Sequence, residues 1–177
     1  MMAKGGIENL QRRAIEHASD MARDLYDDAL GASPIEKLLF TAIQLRAYLS
    51  SSEYSNLVVF KTGEEEAAFI SGGNGLLRPT LLLRPQAQLE GWRVDFLIHS
   101  YDFARKGGPQ GWKRLIVECD GHDFHERTKE QAAKDRGRDR QAQLSDAAIL
   151  RFTGSEIYKD AWACAEQITD WALKGFP

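Results

Sequence analysis

The pattern of apolar and polar positions changes character along the chain. Over residues 7–30 apolar side chains recur at roughly helical spacing with many charges between them, which predicts an amphipathic helix ending at Gly31. A second helix start follows at once. Ser33 suits the N-cap, Pro34 the first helical position and Glu36 the third, and the helix should run to near Ser50. Beyond it the apolar runs shorten. NLVVF at 56–60 and AAFIS at 67–71 read as short strands, with SGGNG at 71–75 as a turn. The segment from Thr80 leads into WRVDFLIHS, a strand with alternating character, and KGGPQG at 106–111 is a loop. WKRLIVECD then runs as a strand into Gly121. Residues 126–146 predict a helix, 147–152 a buried strand and 156–176 a final amphipathic helix. The order of helix, strands, helix, strand and helix points to an α/β sandwich with a mixed sheet. Within it, strand 114–119, the following helix and strand 147–152 form a βαβ unit that should cross over right-handedly.

A chain of 177 residues, 43% of them hydrophobic, is the size of one domain with a real core. We expect residues 1–32 to be an N-terminal helical appendage and 33–177 the domain proper. No apolar run reaches membrane length and the N-terminal residues lack an apolar signal core, so the expected place is the cytoplasm, away from membranes. The two cysteines, Cys119 and Cys164, lie far apart and exclude a cysteine zinc knuckle. A net charge of −3 argues against a protein that coats nucleic acid nonspecifically. It leaves room for local contact through the dense basic stretch at 125–140.

Acids occur where strands normally avoid them. Asp95 sits between Val94 and Phe96, and Glu118 and Asp120 end a strongly apolar strand. Residues two apart on a strand share a face, so Glu118 and Asp120 can point together while Cys119 faces the other side. Neighbouring strands lie about 4.8 Å apart, close enough for Asp95 to complete a three-carboxylate pocket. Buried carboxylates repel one another, and a divalent cation with oxygen preference, Mg²⁺ or Mn²⁺, relieves the repulsion. Such an ion can activate water and neutralise charge on a phosphate. The competing account has Asp95 and Glu118 paired with arginines such as Arg93 or Arg114, or capping loops.

These residues resemble the PD-(D/E)XK nuclease superfamily, in the branch that includes the very-short-patch-repair endonuclease and its bacterial relatives. The resemblance rests on Glu118-Cys119-Asp120-Gly121 with His125, Asp135 with Arg138 and Asp139, Leu150-Arg151-Phe152-Thr153, and the earlier Val94-Asp95-Phe96, across about the last ninety residues. It implies a restriction-endonuclease-like three-layer sandwich, a central mixed β-sheet flanked by helices, in the 33–177 domain. It also implies Mg²⁺-dependent cleavage of DNA, with metal held by Asp95, Glu118 and Asp120. In many superfamily members a glutamate on the first core helix reaches toward the metal, which gives Glu36 a second role beside that of capping-box partner. One departure is Asp120, which occupies the position of the superfamily's lysine. Its work would pass to His125, Lys129 or Lys134, or the site would be weak; a variant site is the favoured reading, because the close relatives carry aspartate there too.

His125 matches the family position and is expected to assist proton transfer, a role suited to a group that titrates near neutrality. A zinc site from Cys119, His122 and His125 is disfavoured because Cys119 faces away and a fourth ligand is not evident. Lys129, Lys134, Arg138 and Arg151 are the candidate contacts to the DNA backbone, although Asp135, Asp139 and other acids on the same helix can satisfy part of that charge. The four tryptophans read as packing residues. The leading expectation is therefore a metal-dependent DNA endonuclease, nicking one strand as a monomer or cutting both as a homodimer. The alternative is a nuclease-fold module that binds DNA or a protein without cutting. A phosphohydrolase for small substrates ranks lower, since no phosphate-cradling loop is present.

Overall fold

A computed structural model describes residues 2–50, 56–71, 80–89, 91–101, 112–121, 136–138, 140, 142, 144 and 146–173. Helices α1 (Met2–Asp27) and α2 (Pro34–Ser50) are followed by strand β1 (Asn56–Val59) and helix α3 (Gly63–Ser71). Strands β2 (Thr80–Leu89), β3 (Trp92–Tyr101) and β4 (Trp112–Asp120) come next, then β5 (Ala147–Thr153) and helix α4 (Gly154–Leu173). Between β4 and β5 the described residues from 136 to 144 are helical, in agreement with the expected helix. The predicted turn at 71–75 lies outside the described residues apart from Ser71, and the loop at 106–111 lies outside them entirely.

Three helices begin with the same local device. Ser33 Oγ accepts from Glu36 N at 3.3 Å and donates to Glu36 Oε1 at 3.0 Å. At α3, Thr62 Oγ1 accepts from Glu65 N at 3.2 Å, while Glu65 Oε2 accepts from Thr62 N at 3.2 Å and Lys61 N at 2.9 Å. At α4, Thr153 Oγ1 accepts from Glu156 N, and Glu156 Oε2 takes the Thr153 N–H and hydroxyl, both at 2.8 Å. Each is a Ser/Thr-x-x-Glu box that satisfies donors a helix start would leave open. The box at Thr62 corrects the expected strand at 67–71. Those residues lie inside α3, because a cap with three acids in the first turn launches a helix that the short apolar run only continues. The box at Thr153 likewise starts the last helix at Gly154 rather than 156. That helix breaks at Asp160 (φ −158°, ψ 78°), whose Oδ1 recaps the second piece through Ala163 N at 2.9 Å.

The five strands form one mixed sheet in the order β1-β2-β3-β4-β5, parallel at both outer pairs and antiparallel through the centre. The architecture is an α/β three-layer sandwich. On one face, Leu39, Phe40 and Ile43 of α2 and Ile157, Ala165 and Ile168 of α4 pack against Leu83, Phe96, Ile98, Leu115, Val117 and Phe152. A smaller core of Ala87, Val94, Leu97, Ile116 and Ala147 packs with Ala142 from the helical residues before β5. Arg46 fastens α2 to α4. Its Nε donates to Thr169 Oγ1 at 2.6 Å, and its Nη2 faces both Glu166 and Asp170.

A buried polar network ties α3 to the sheet. The Glu66 carboxylate meets His99 Nδ1 and lies 3.6 Å from Arg84, and Arg114 Nε donates to His99 Nε2 at 3.1 Å. Arg114 is thus engaged with His99, away from the acids that sequence offered as its partners. Gly63 packs closely beside this network: a Cβ there would lie 2.2 Å from an Arg84 guanidinium nitrogen, so the arginine tip would have to shift.

Glu66 and His99 are both nearly inaccessible. Removing one partner of such a pair strands the other in a medium that cannot solvate it. His99→Ala should therefore lower unfolding stability by about 3 kcal/mol, and Glu66→Gln, which keeps a hydrogen-bonding oxygen, by less. Chemical denaturation checks both.

Candidate metal centre

The site forms where the regular sheet gives way. Strand β1 stops at Val59, so beyond Leu83 strand β2 becomes an edge. Pro85, which cannot donate to a neighbour, sits in this stretch, and Gln86 follows in the left-handed region at φ 53°. The β2–β3 pairing runs on either side, Pro85 with Phe96 and Ala87 with Val94, but skips the Gln86–Asp95 rung between. Side-chain alternation slips across this rung. Leu83, Phe96 and Ile98 belong to the larger core, whereas Ala87 and Val94, at the same parity along their strands, belong to the smaller one. Asp95 stands at the slip.

Strands β3 and β4 also part here. Their ladder ends at Phe96–Val117, while β4 continues beside β5 as far as Asp120–Thr153. The Cys119 N–H would be left open. Asp95 Oδ2 accepts it at 2.7 Å, a side chain replacing the missing backbone carbonyl. Extending the register by one rung places Asp95 opposite Glu118, and the parallel register places Arg151 beside Glu118 on the other side.

From above, α2 delivers Glu36. Its carboxylate is buried and heavily bonded. Oε1 accepts from the Ser33 hydroxyl, and Oε2 accepts from Ala32 N at 2.8 Å and from Gln86 Nε2. The capping role of Glu36 and a position beside the strand acids therefore coexist. Cys119 packs against the larger core, facing as expected, and burial together with Asp95, Glu36, Glu118 and Asp120 pushes its thiol up.

The acids act on one another. Burial raises the Asp95 pKa, the Cys119 N–H bond lowers it, and Glu36 and Asp120 push it up again against a compensating Arg93. Burial, then the charge of Asp95, drives Glu118 from 4.5 to about 7, with Arg138 and Arg151 pulling the other way and Asp120 adding repulsion. The structure thus brings Glu36, Asp95, Glu118 and Asp120 into one electrostatic cluster, flanked by Arg138 and Arg151. It does not close them into a finished cage: among the described residues no three His, Cys, Asp or Glu side chains converge tightly enough to hold an ion. His122, His125, Lys129 and Lys134 lie outside the described residues.

Gln86 is the residue sequence reasoning missed. Its Oε1 is buried and meets no hydrogen-bond donor among the described residues, next to a carboxylate its own amide group contacts. An oxygen without a donor, beside mutually repelling carboxylates, is a donor set that suits a hard divalent cation. The residue's signal was faint: a proline and a glutamine that follow the apolar run Leu81–Leu83 and Arg84 within one strand.

The sign of the pH dependence follows from Glu118. An acid whose pKa is raised on folding binds its proton more tightly when folded, so the metal-free protein loses stability as pH climbs from 4.5 to about 7. Thermal midpoints should fall across that window. Glu118→Gln should flatten the fall, and millimolar Mg²⁺ or Mn²⁺ should reverse it in the wild type but not in the variant.

No family model matches the chain, and no curated protein does. Among solved structures it aligns with the crystal structure of HopZ1a in complex with IP6, at 14% identity and a TM-score of 0.33. The alignment covers 89% of this chain and 56% of that one, and a likeness this distant assigns no activity.

Proposed function

We propose that the protein is a metal-dependent DNA endonuclease, acting in the cytoplasm as a monomer or homodimer. One observation carries the reading. An acid at the point where two strands part lies one register step past the last paired rung, opposite an acid on the next strand; a third acid follows two residues on, and a helix glutamate stands beside them. The order of helix, strands, helix, strand and helix expected from the sequence is present, with β1 and α3 between α2 and β2. No helix among the described residues is long and apolar enough to cross a membrane.

In this reading Asp95, Glu118 and Asp120 would hold Mg²⁺ or Mn²⁺, with the Gln86 oxygen and Glu36 close by. The bound ion would supply an activated water and neutralise charge developing on the phosphate. The chain's own residues do the rest. Asp95 is fixed by the Cys119 N–H at one oxygen, and its second oxygen would serve the cation. Glu118, flanked by Arg138 and Arg151, presents a carboxylate whose ionised form a bound cation would favour. Arg138 and Arg151 stand where a phosphate would approach, and His125 is assigned proton transfer to the leaving oxygen.

A second reading has support of its own. Asp120 replaces the superfamily's lysine, and the acids do not converge into a cage. Both fit a module that binds DNA or a protein partner without cutting.

Nicking of supercoiled plasmid by purified protein in Mg²⁺ or Mn²⁺ should fall by roughly a hundredfold or more in Asp95→Ala and in Glu118→Ala. Wild-type protein that binds DNA but leaves every DNA and RNA form intact would instead establish the second reading.

A further inference from the structure

Next to the acids lies an open cleft of about 490 Å³. Its walls include Leu30 and Pro85, its cations are Lys61 and Arg93, and Ala32 and Gln86 form the border shared with the acids. That border is direct, since Ala32 N and Gln86 Nε2 both donate to Glu36. Arg93 stands two residues before Asp95 and close enough to lower its pKa. The cleft exists because β1 ends at Val59: the chain turns away through Lys61, and β2 is left without a neighbour over Pro85 and Gln86.

The two cations share the lining of the cleft. Lys61 and Arg93 are exposed, and neither forms an ion pair among the described residues. They come from distant parts of the chain yet line one concavity. Exposed cations elsewhere divide: Arg12 pairs with Glu16 and Arg23 with Asp20, whereas Arg13 and Lys159 form no ion pair among the described residues, so what sets Lys61 and Arg93 apart is the concavity they share. Two cations over an apolar floor match a nucleotide, which offers a phosphate to the charges and a sugar face to aliphatic carbon. Arg138 and Arg151 flank Glu118 from the β5 side, and this cleft flanks Asp95 and Glu36 from the β2 side. A strand crossing the acids would meet cations before and after them.

We infer that this cleft is a binding subsite for one nucleotide of the DNA strand, its phosphate held between Lys61 and Arg93 and its sugar against Leu30 and Pro85. The inference rests on the nuclease-fold reading, in its cutting or its binding form.

The test is fluorescence anisotropy of a fluorescein-labelled DNA duplex in Ca²⁺ across a salt series, with Mn²⁺ binding measured calorimetrically on the same preparations. Lys61→Ala and Arg93→Ala should each weaken DNA binding about tenfold and reduce the salt slope by about one. Arg93→Lys should keep the slope. Mn²⁺ affinity should stay unchanged in Lys61→Ala and be equal or tighter in Arg93→Ala, because a cation beside Asp95 is gone; an arginine serving only the fold would lose metal and DNA binding together. Unaltered DNA affinity and slope in both variants, with the wild type binding, would overturn the subsite alone. A wild type that binds no DNA would overturn the nuclease-fold reading and the subsite with it.

Discussion

One backbone N–H, that of Cys119, has to find an acceptor where β3 and β4 separate, and Asp95 supplies it. Much of the site follows from that bond. It holds the Asp95 carboxylate in the seam between two strands, half-buried, within reach of Glu118 and under Glu36. Desolvation then dominates the electrostatics: burial is the largest cause of the raised pKa of both Asp95 and Glu118, and the acids' mutual repulsion comes second. A fold that needs Asp95 as a hydrogen-bond acceptor therefore also stores unfavourable charge at one end of its sheet. A cation would relieve it.

Much of this was legible in the sequence. The alternation in WRVDFLIHS and the apolar run before Glu118 gave strands, and acids inside them stood out because strands rarely bury charge without cause. The helix start at Ser33 is as read, and so are the mixed sheet and the parallel pairing of β4 with β5. The resemblance grouped Glu36 with the strand acids, and the structure places them in one electrostatic cluster. The helix at 63–71 was hidden because Ala67, Ala68, Phe69 and Ile70 suit either state; what decides is the capping box just upstream at Thr62–Glu65, a pattern recognised at Ser33 but not at Thr62.

Other features lay beyond sequence reasoning for a physical reason. The contact between Gln86 and Glu36 joins residues fifty positions apart and depends on a left-handed backbone at a residue type that gives no warning of one. The Glu66–His99–Arg114 network needs a helix that was read as a strand, so its acid could not be placed. The cleft with Lys61 and Arg93 arises from the length of β1 relative to β2, a difference of pairing rather than of composition.

The slip at the Gln86–Asp95 rung has a consequence for how this hairpin can change length. Both strands exchange their inward and outward faces at the same level, so each half of the hairpin is in phase with its partner but out of phase with the other half. Inserting or deleting one residue in a single strand near the slip would turn every side chain beyond it to the wrong core. Length can vary at the tip around Gly91, where a left-handed glycine at φ 93° makes the turn, or by matched changes in both strands. The two halves of the hairpin are thus locked to a common count, with Asp95 as the point from which it is measured.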